Sequence, residues 1–167
     1  MRKPIKVLLA ILGSGGLLAL GTNEADATTA TGTFTSTITI QASCQVISTN
    51  SLNFGTQGIL VANTDVTSTF NVQCTNTTPY NVGLNAGTGT GATTTTRLMT
   101  NGANTVAYQM FSNAGRTTNW GNTVGTDTVA GTGNGTQQTL TVYGRVPPQT
   151  TPAPATYNDT VTITITY

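Results

Sequence analysis

The chain has 167 residues, of which 40 are Thr and 19 are Gly, with six Lys or Arg, five Asp or Glu, no His and a formal net charge of +1. Beyond residue 27 only three Arg and three Asp carry charge, with no Lys and no Glu. Scattered single arginines do not neutralise a phosphate backbone, and three Asp without His or Lys make a poor acid–base set, so neither a nucleic-acid binder nor an enzyme is expected.

The first element is an export signal. Arg2, Lys3 and Lys6 form a basic start, Val7 to Leu20 is a mostly apolar run, and Ala25-Asp26-Ala27 offers small residues for cleavage. A membrane-spanning helix needs about 20 apolar residues. This run is shorter and broken by Gly13, Gly15 and Gly16, so residues 1–27 are expected to be removed, and no membrane insertion of the remaining chain is expected. Export also implies an oxidising compartment, in which Cys44 and Cys74 are expected to form a disulfide.

The next element, Thr33 to Gln41, alternates with period two, placing Phe34, Ile38 and Ile40 on one face of an extended strand. Only Ala42 and Ser43 separate it from Cys44. Two readings stay open on this pattern. The segment is either an ordinary first strand of its own domain, or it projects outward to lie along a strand of another molecule. Burying those three side chains is worth roughly 1.5–3 kcal/mol each, about 5–9 in sum, against a typical domain stability of about 5–15 kcal/mol. A domain deprived of such a strand is expected to be marginal.

Further strands are expected at Cys44 to Ser48, Ser51 to Phe54, Ile59 to Ala62, Val66 to Cys74, Tyr80 to Asn85, Val106 to Ser112 and Gln137 to Tyr143. Loops are expected at Gly87 to Thr96, Asn113 to Thr136 and Pro147 to Thr156. The Gly-Thr-Gly run in the first of these lacks the Lys-Ser/Thr ending of a phosphate loop, and no cofactor is expected. The last strand, Asp159 to Tyr167, again alternates, with Val161, Ile163, Ile165 and Tyr167 on one face. Its open edge invites pairing. No stretch shows a sustained 3.6-residue period, so the fold class is all-β, a sandwich or barrel.

A set of local motifs then carries a resemblance. Cys44 stands ahead of Leu52-Asn53-Phe54-Gly55, and Val72-Gln73-Cys74-Thr75 precedes Pro79-Tyr80. Arg97-Leu98-Met99 precedes Val106-Ala107-Tyr108, Leu140 to Pro147 reads LTVYGRVP, and the end reads Tyr157-Asn158-Asp159-Thr160-Val161-Thr162-Ile163. In this order they resemble the spore coat protein U domain family, which includes pilins of the archaic chaperone-usher pathway of the Csu type.

The resemblance implies an incomplete immunoglobulin-like β-sandwich with one disulfide, whose last strand is supplied in trans. It divides the chain into a signal (1–27), a donor-strand segment (28–43) and a sandwich domain (44–167). Phe34, Ser36, Ile38 and Ile40 would face a neighbour's groove, with Ser36 standing where an apolar residue is expected. Val161, Ile163, Ile165 and Tyr167 would form the acceptor edge. The implied partners are identical or related subunits, a periplasmic chaperone and an outer-membrane usher, on a route through the periplasm to a surface pilus serving attachment and biofilm formation. The length favours a shaft subunit over a two-domain tip adhesin. A spore- or cell-coat protein of the same fold is the alternative, and a monomeric binding module a third reading.

Three residues outside the strands also invite roles. Arg145, between Gly144 and Pro147, is expected to make a buried or loop-fixing hydrogen bond. Trp120, the sole Trp, is expected to pack on the core. Asp159 is expected to cap a turn through local backbone bonds.

Overall fold

The computed structural model describes residues 26–167. The expected export signal lies outside the described residues except for Asp26 and Ala27. The chain divides into two units, one ending at Ile38 and one running from Thr39 to Tyr167. In the first, residues 26–38 are exposed at every position and belong to no strand. The expected strand at Thr33 to Gln41 is therefore not formed. Period-two alternation makes a segment fit to be a strand, but only a hydrogen-bonding partner makes it one.

The second unit is all-β, and no described residue is helical. Its eight strands are β1 (Cys44–Thr49), β2 (Thr64–Cys74), β3 (Pro79–Leu84), β4 (Arg97–Asn101), β5 (Asn104–Phe111), β6 (Val129–Thr132), β7 (Gln137–Val146) and β8 (Ile163–Thr166). They form a five-stranded sheet in the order β1-β2-β7-β5-β4 and a three-stranded sheet in the order β6-β3-β8. Every pairing is antiparallel. The architecture is an immunoglobulin-like sandwich with one disulfide, Cys44–Cys74, which joins directly opposed residues of β1 and β2.

The longest ladder, β2 with β7, runs from Thr64↔Val146 to Gln73↔Gln137. Alternation sorts its two faces. Phe70, Val72 and Cys74 of β2 and Val142 and Val146 of β7 are buried, while Thr67, Thr69, Asn71 and Thr139 keep to the outer side. From β3, Tyr80, Val82 and Leu84 close the core from the second sheet.

Trp120 fills the space between the sheets at 1 % exposure, its ring tilted against Phe70 and its indole N–H donating to the Val82 carbonyl at 2.8 Å. The 120–122 backbone can cross β3 this closely because residue 83 is Gly. A Cβ there would stand 2.9 Å from the Asn122 Cα.

Within the second unit the structure differs from expectation in four further elements. Ser51 to Phe54 and Ile59 to Ala62 are irregular, and β4 and β6 arise where loop or nothing was expected. β4 and β5 form a hairpin closed by Gly102 at φ 57°, with Asn101 paired to Asn104. A two-residue loop led by a positive-φ Gly matches the twist of paired strands, and Gly102-Ala103 was its legible signal. β6 is four residues containing a Gly, too short to display a period.

Candidate functional site

The two sheets leave one side of the sandwich open. Among the described residues β8 pairs only with β3, and β1 only with β2, so each presents an unpaired edge. Between them lies a cleft of about 1130 Å³. The irregular segments around Asn50–Leu60 and Thr151–Asp159 form its walls, and core side chains including Phe70, Met110, Val142 and Val146 form its floor. These floor side chains are only 2–7 % exposed, and the apolar groups facing the cleft that stay partly accessible are Leu52, Val161 and Ile163. Such surface is costly to leave in water.

The expected edge residues fall in different places. Val161 and Ile163 line the cleft, Ile165 packs half-buried on the core, and Tyr167 lies past the end of β8 at 59 % exposure. Tyr167 lines a second, smaller concavity with Ile40–Ala42 and Thr75–Pro79. The segment carrying Phe34, Ser36, Ile38 and Ile40 is exposed throughout; Phe34 is 90 %, Ile38 81 % and Ile40 73 % accessible.

Part of the cleft is already filled from within. Leu52 and Phe54 descend onto β7 at Gly144, where a Cβ would meet Leu52 Cδ2 at 2.7 Å, and the Phe54 ring meets Tyr108 edge-on at 6.0 Å between centroids. The Leu-Asn-Phe-Gly motif supplies this filling without forming a strand. Asn53 turns the chain by accepting the Gly55 N–H through Oδ1, a side-chain turn that competes with ladder formation.

Beneath one end of the cleft lies a residue whose importance the sequence did not signal. Arg97, at 0 % exposure, donates from Nε to the Asn85 carbonyl, from Nη1 to that of Thr94, and from Nη2 to those of Leu84 and Trp120, at 2.7–2.9 Å. Burial lowers its pKa, opposed by the nearby Tyr108, Asp159 and Asp127. A guanidinium remains charged in a protein, and here carbonyl dipoles carry the compensation. Arg97 thereby ties the end of β3, the 94–97 turn and the Trp120 backbone together.

Asp159, at the cleft wall, does more than cap a local turn. Its Oδ1 accepts from Thr160 N–H at 2.8 Å but also from the Thr88 N–H and hydroxyl at 2.7 and 2.9 Å, and its Oδ2 accepts the Tyr108 hydroxyl at 2.8 Å. Desolvation raises its pKa, but these hydrogen bonds outweigh it and the net shift is downward. The same burial and the Asp159 contact push Tyr108 upward.

A carboxyl depressed in the folded state contributes stability fully above its unfolded pKa of about 3.9 and loses it as pH falls through the folded value. Asp159→Asn is therefore expected to lower the melting temperature at neutral pH and to show a smaller further fall between neutral pH and pH 3 than wild type. Thermal scans at stepped pH check this, and parallel acid-side curves would refute it.

Arg145 corrects expectation. It is neither buried nor loop-fixing but sits in β7 directly across from Asp65 of β2, its Nε 2.7 Å from Oδ1 and its Nη2 2.8 Å from Oδ2. Hydrogen bonding to Arg145 lowers the Asp65 pKa against a small desolvation cost. Arg116 joins at 3.4 Å and lies over the Tyr143 ring. This cluster occupies the outer face of the five-stranded sheet, whereas Asp159 stands at the cleft and Asp127 accepts the Thr123 N–H in its own turn. The three carboxylates do not converge.

The cleft, the free edges and the pattern of core residues can be set against known proteins. Residues 30–164 match the family described as Spore Coat Protein U domain. Protein U of Myxococcus xanthus is 32 % identical over 173 residues, spanning 95 % of this chain and 95 % of that protein. Among solved structures, the chaperone–tip adhesion subunit pre-assembly complex CsuC–CsuE, from the archaic chaperone-usher Csu pili of Acinetobacter baumannii, contains a similar chain. The TM-score is 0.56 at 27 % identity, over 77 % of this chain and 40 % of that one. This chain thus spans less than half the length of that solved neighbour. The cysteine pair, the incomplete sandwich and the near full-length match lead to one conclusion: the chain belongs to the Spore Coat Protein U domain family.

Proposed function

We propose that this protein is a chaperone-usher pilus subunit, exported through the periplasm and polymerised by strand donation into surface fibres for attachment and biofilm formation. The observation that carries the reading is a complementary pair of defects. One is an open cleft of about 1130 Å³ floored by core side chains. The other is an alternating segment whose Phe34, Ile38 and Ile40 are all exposed. Seating residues 28–43 of one copy in the cleft of another removes both, worth about 5–9 kcal/mol for the three apolar side chains.

The topology supports one direction for the seated strand. Cys44, the Thr75–Pro79 turn and Tyr167 lie at one end of the sandwich, called here the disulfide end. The start of β2, the end of β7 and the Leu60–Thr151 contact lie at the other, about 33 Å away along β2. Each donor segment leaves its own body at the disulfide end. Open head-to-tail growth brings that end of one copy to the far end of the next, so the donor runs antiparallel to β8 and Ile40 seats nearest the far end. A chaperone strand would hold the same cleft before assembly, and an usher would exchange the two.

Unboiled gel electrophoresis of surface fractions is expected to give a ladder that boiling collapses to monomer, while Ile38→Asp with Ile40→Asp gives monomer alone. A wild-type protein that stays monomeric in every fraction overturns the reading. The family description favours a second one, a coat protein of the same fold. It predicts recovery in an insoluble layer without association to a periplasmic chaperone.

A further inference from the structure

Resting on the strand-donation reading, we infer that a second copy of this chain makes a body-to-body contact beside the seated strand, through the turn Ile59-Leu60-Val61. Ile59 and Val61 are 79 % and 77 % exposed, although the residue between them is buried at 8 %. The turn is not loose. Leu60 N–H donates to Thr151 Oγ1 at 2.8 Å, its carbonyl accepts the Gln149 N–H at 3.0 Å, and the Val61 N–H closes on the Ile59 carbonyl at 3.0 Å. Gln149 is in turn clamped to both the N–H and the carbonyl of Ala107 in β5. Two β-branched apolar side chains are therefore held out in water by a rigid support, an arrangement that stabilises nothing within the chain itself.

Position identifies the occupant. Ile59 and Leu60 line the cleft, at the end where the donor segment of the next copy enters. Only Gln41, Ala42 and Ser43 lie between the seated Ile40 and the donor's Cys44, a reach of roughly 13 Å over four steps at about 3.3 Å each. So short a connection brings the donor's body against the cleft mouth. The surface it brings is the disulfide end, which carries Thr75–Pro79 and the exposed Tyr167, with the donor's Gln41 and Ala42 leading away from it. That surface has no charged side chain among these residues, so apolar Ile59 and Val61 need desolvate no charged side chain there. The contact joins unlike surfaces and repeats along a fibre. It sets the angle between successive subunits, which a strand connection alone leaves free.

The test places cysteines on the two sides, Ile59→Cys with Tyr167→Cys, in assembled fibres under mild oxidation. A disulfide requires Cα atoms about 4.4–6.8 Å apart. The expected result is a ladder that survives boiling and collapses on reduction, absent from a control pair of Thr139→Cys on the outer sheet face with Tyr167→Cys. Unboiled samples of the same fibres report strand donation separately. An unboiled ladder with no boiling-resistant product overturns this contact and leaves strand donation standing. No ladder in either lane overturns both. A cross-link equally strong in the control pair assigns the product to random collision and also overturns the contact.

Discussion

Arg97→Met is expected to prevent the protein from accumulating in a folded form. Met occupies much of the same volume, so the expected loss is not one of packing. It is the loss of the donors to four carbonyls, those of Leu84 and Trp120 buried and those of Asn85 and Thr94 part-buried. An unsatisfied buried acceptor costs about 1–3 kcal/mol. With partial relaxation the sum is on the order of 3–5 kcal/mol, a large fraction of the roughly 5–15 kcal/mol of a typical domain.

Arg97→Lys should recover only part of this, because an ammonium offers three donors from one atom and cannot span carbonyls on three separate segments. Urea unfolding followed by Trp120 fluorescence measures the effect, since that indole is buried and bonded to Val82. A midpoint for Arg97→Met equal to that of wild type would show that the carbonyls find other partners.

The second large effect is expected at the disulfide. Cys44 and Cys74 close a loop of sequence separation 30, and the chain-entropy model gives such a cross-link roughly 3–4 kcal/mol. β1 is an edge strand, held by β2 on one side only, and its first residue adjoins the exposed segment ending at Ser43. Without the bond, β1 is anchored by backbone pairing and the Asn71–Ser48 side-chain hydrogen bond, next to an unfilled cleft.

Cys44→Ser with Cys74→Ser is expected to lower the melting temperature by about 10 °C or more, or to leave no soluble protein at 37 °C. Differential scanning calorimetry of oxidised and variant protein decides it. If the variant melts within a degree or two of wild type, the β1–β2 ladder is sufficient by itself. Filling the cleft should narrow the difference, because a seated strand would tie β1 to the rest of the fold on its free side.

Much of the strand content was legible because period-two alternation is a local property. β2 and β7 alternate over ten residues or more, and each inward residue in them is the one the pattern points inward. The terminal Val161-Thr-Ile-Thr-Ile run kept its alternation, but only Ile163–Thr166 found a partner in β3, so the strand expected over Asp159 to Tyr167 is reduced to these 4 residues. Ser51 to Phe54 and Ile59 to Ala62 looked like strands by composition. Their apolar residues are instead used one at a time, Leu52, Phe54 and Leu60 inward and Ile59 and Val61 outward. Short apolar segments do not distinguish these uses.

The charged residues divide in the same way. Arg97, Arg116 and Arg145 look alike in sequence, yet one is buried under the cleft, one lies over Tyr143, and one crosses to Asp65. The Asp65–Arg145 bond joins residues 80 apart and exists only because β2 and β7 are neighbours in one register. Asp159 reaches Tyr108 from 51 residues away.

Alternation, turn residues and the absence of His, Lys and Glu beyond residue 27 were enough to determine an all-β chain poor in reactive groups, because each is a property of neighbours along the backbone. The open cleft, its inner filling by Leu52 and Phe54, and the burial of Arg97 were decided only by tertiary structure. They depend on which strands pair and which edge is left over, and pairing is a relation between distant segments that no local pattern encodes.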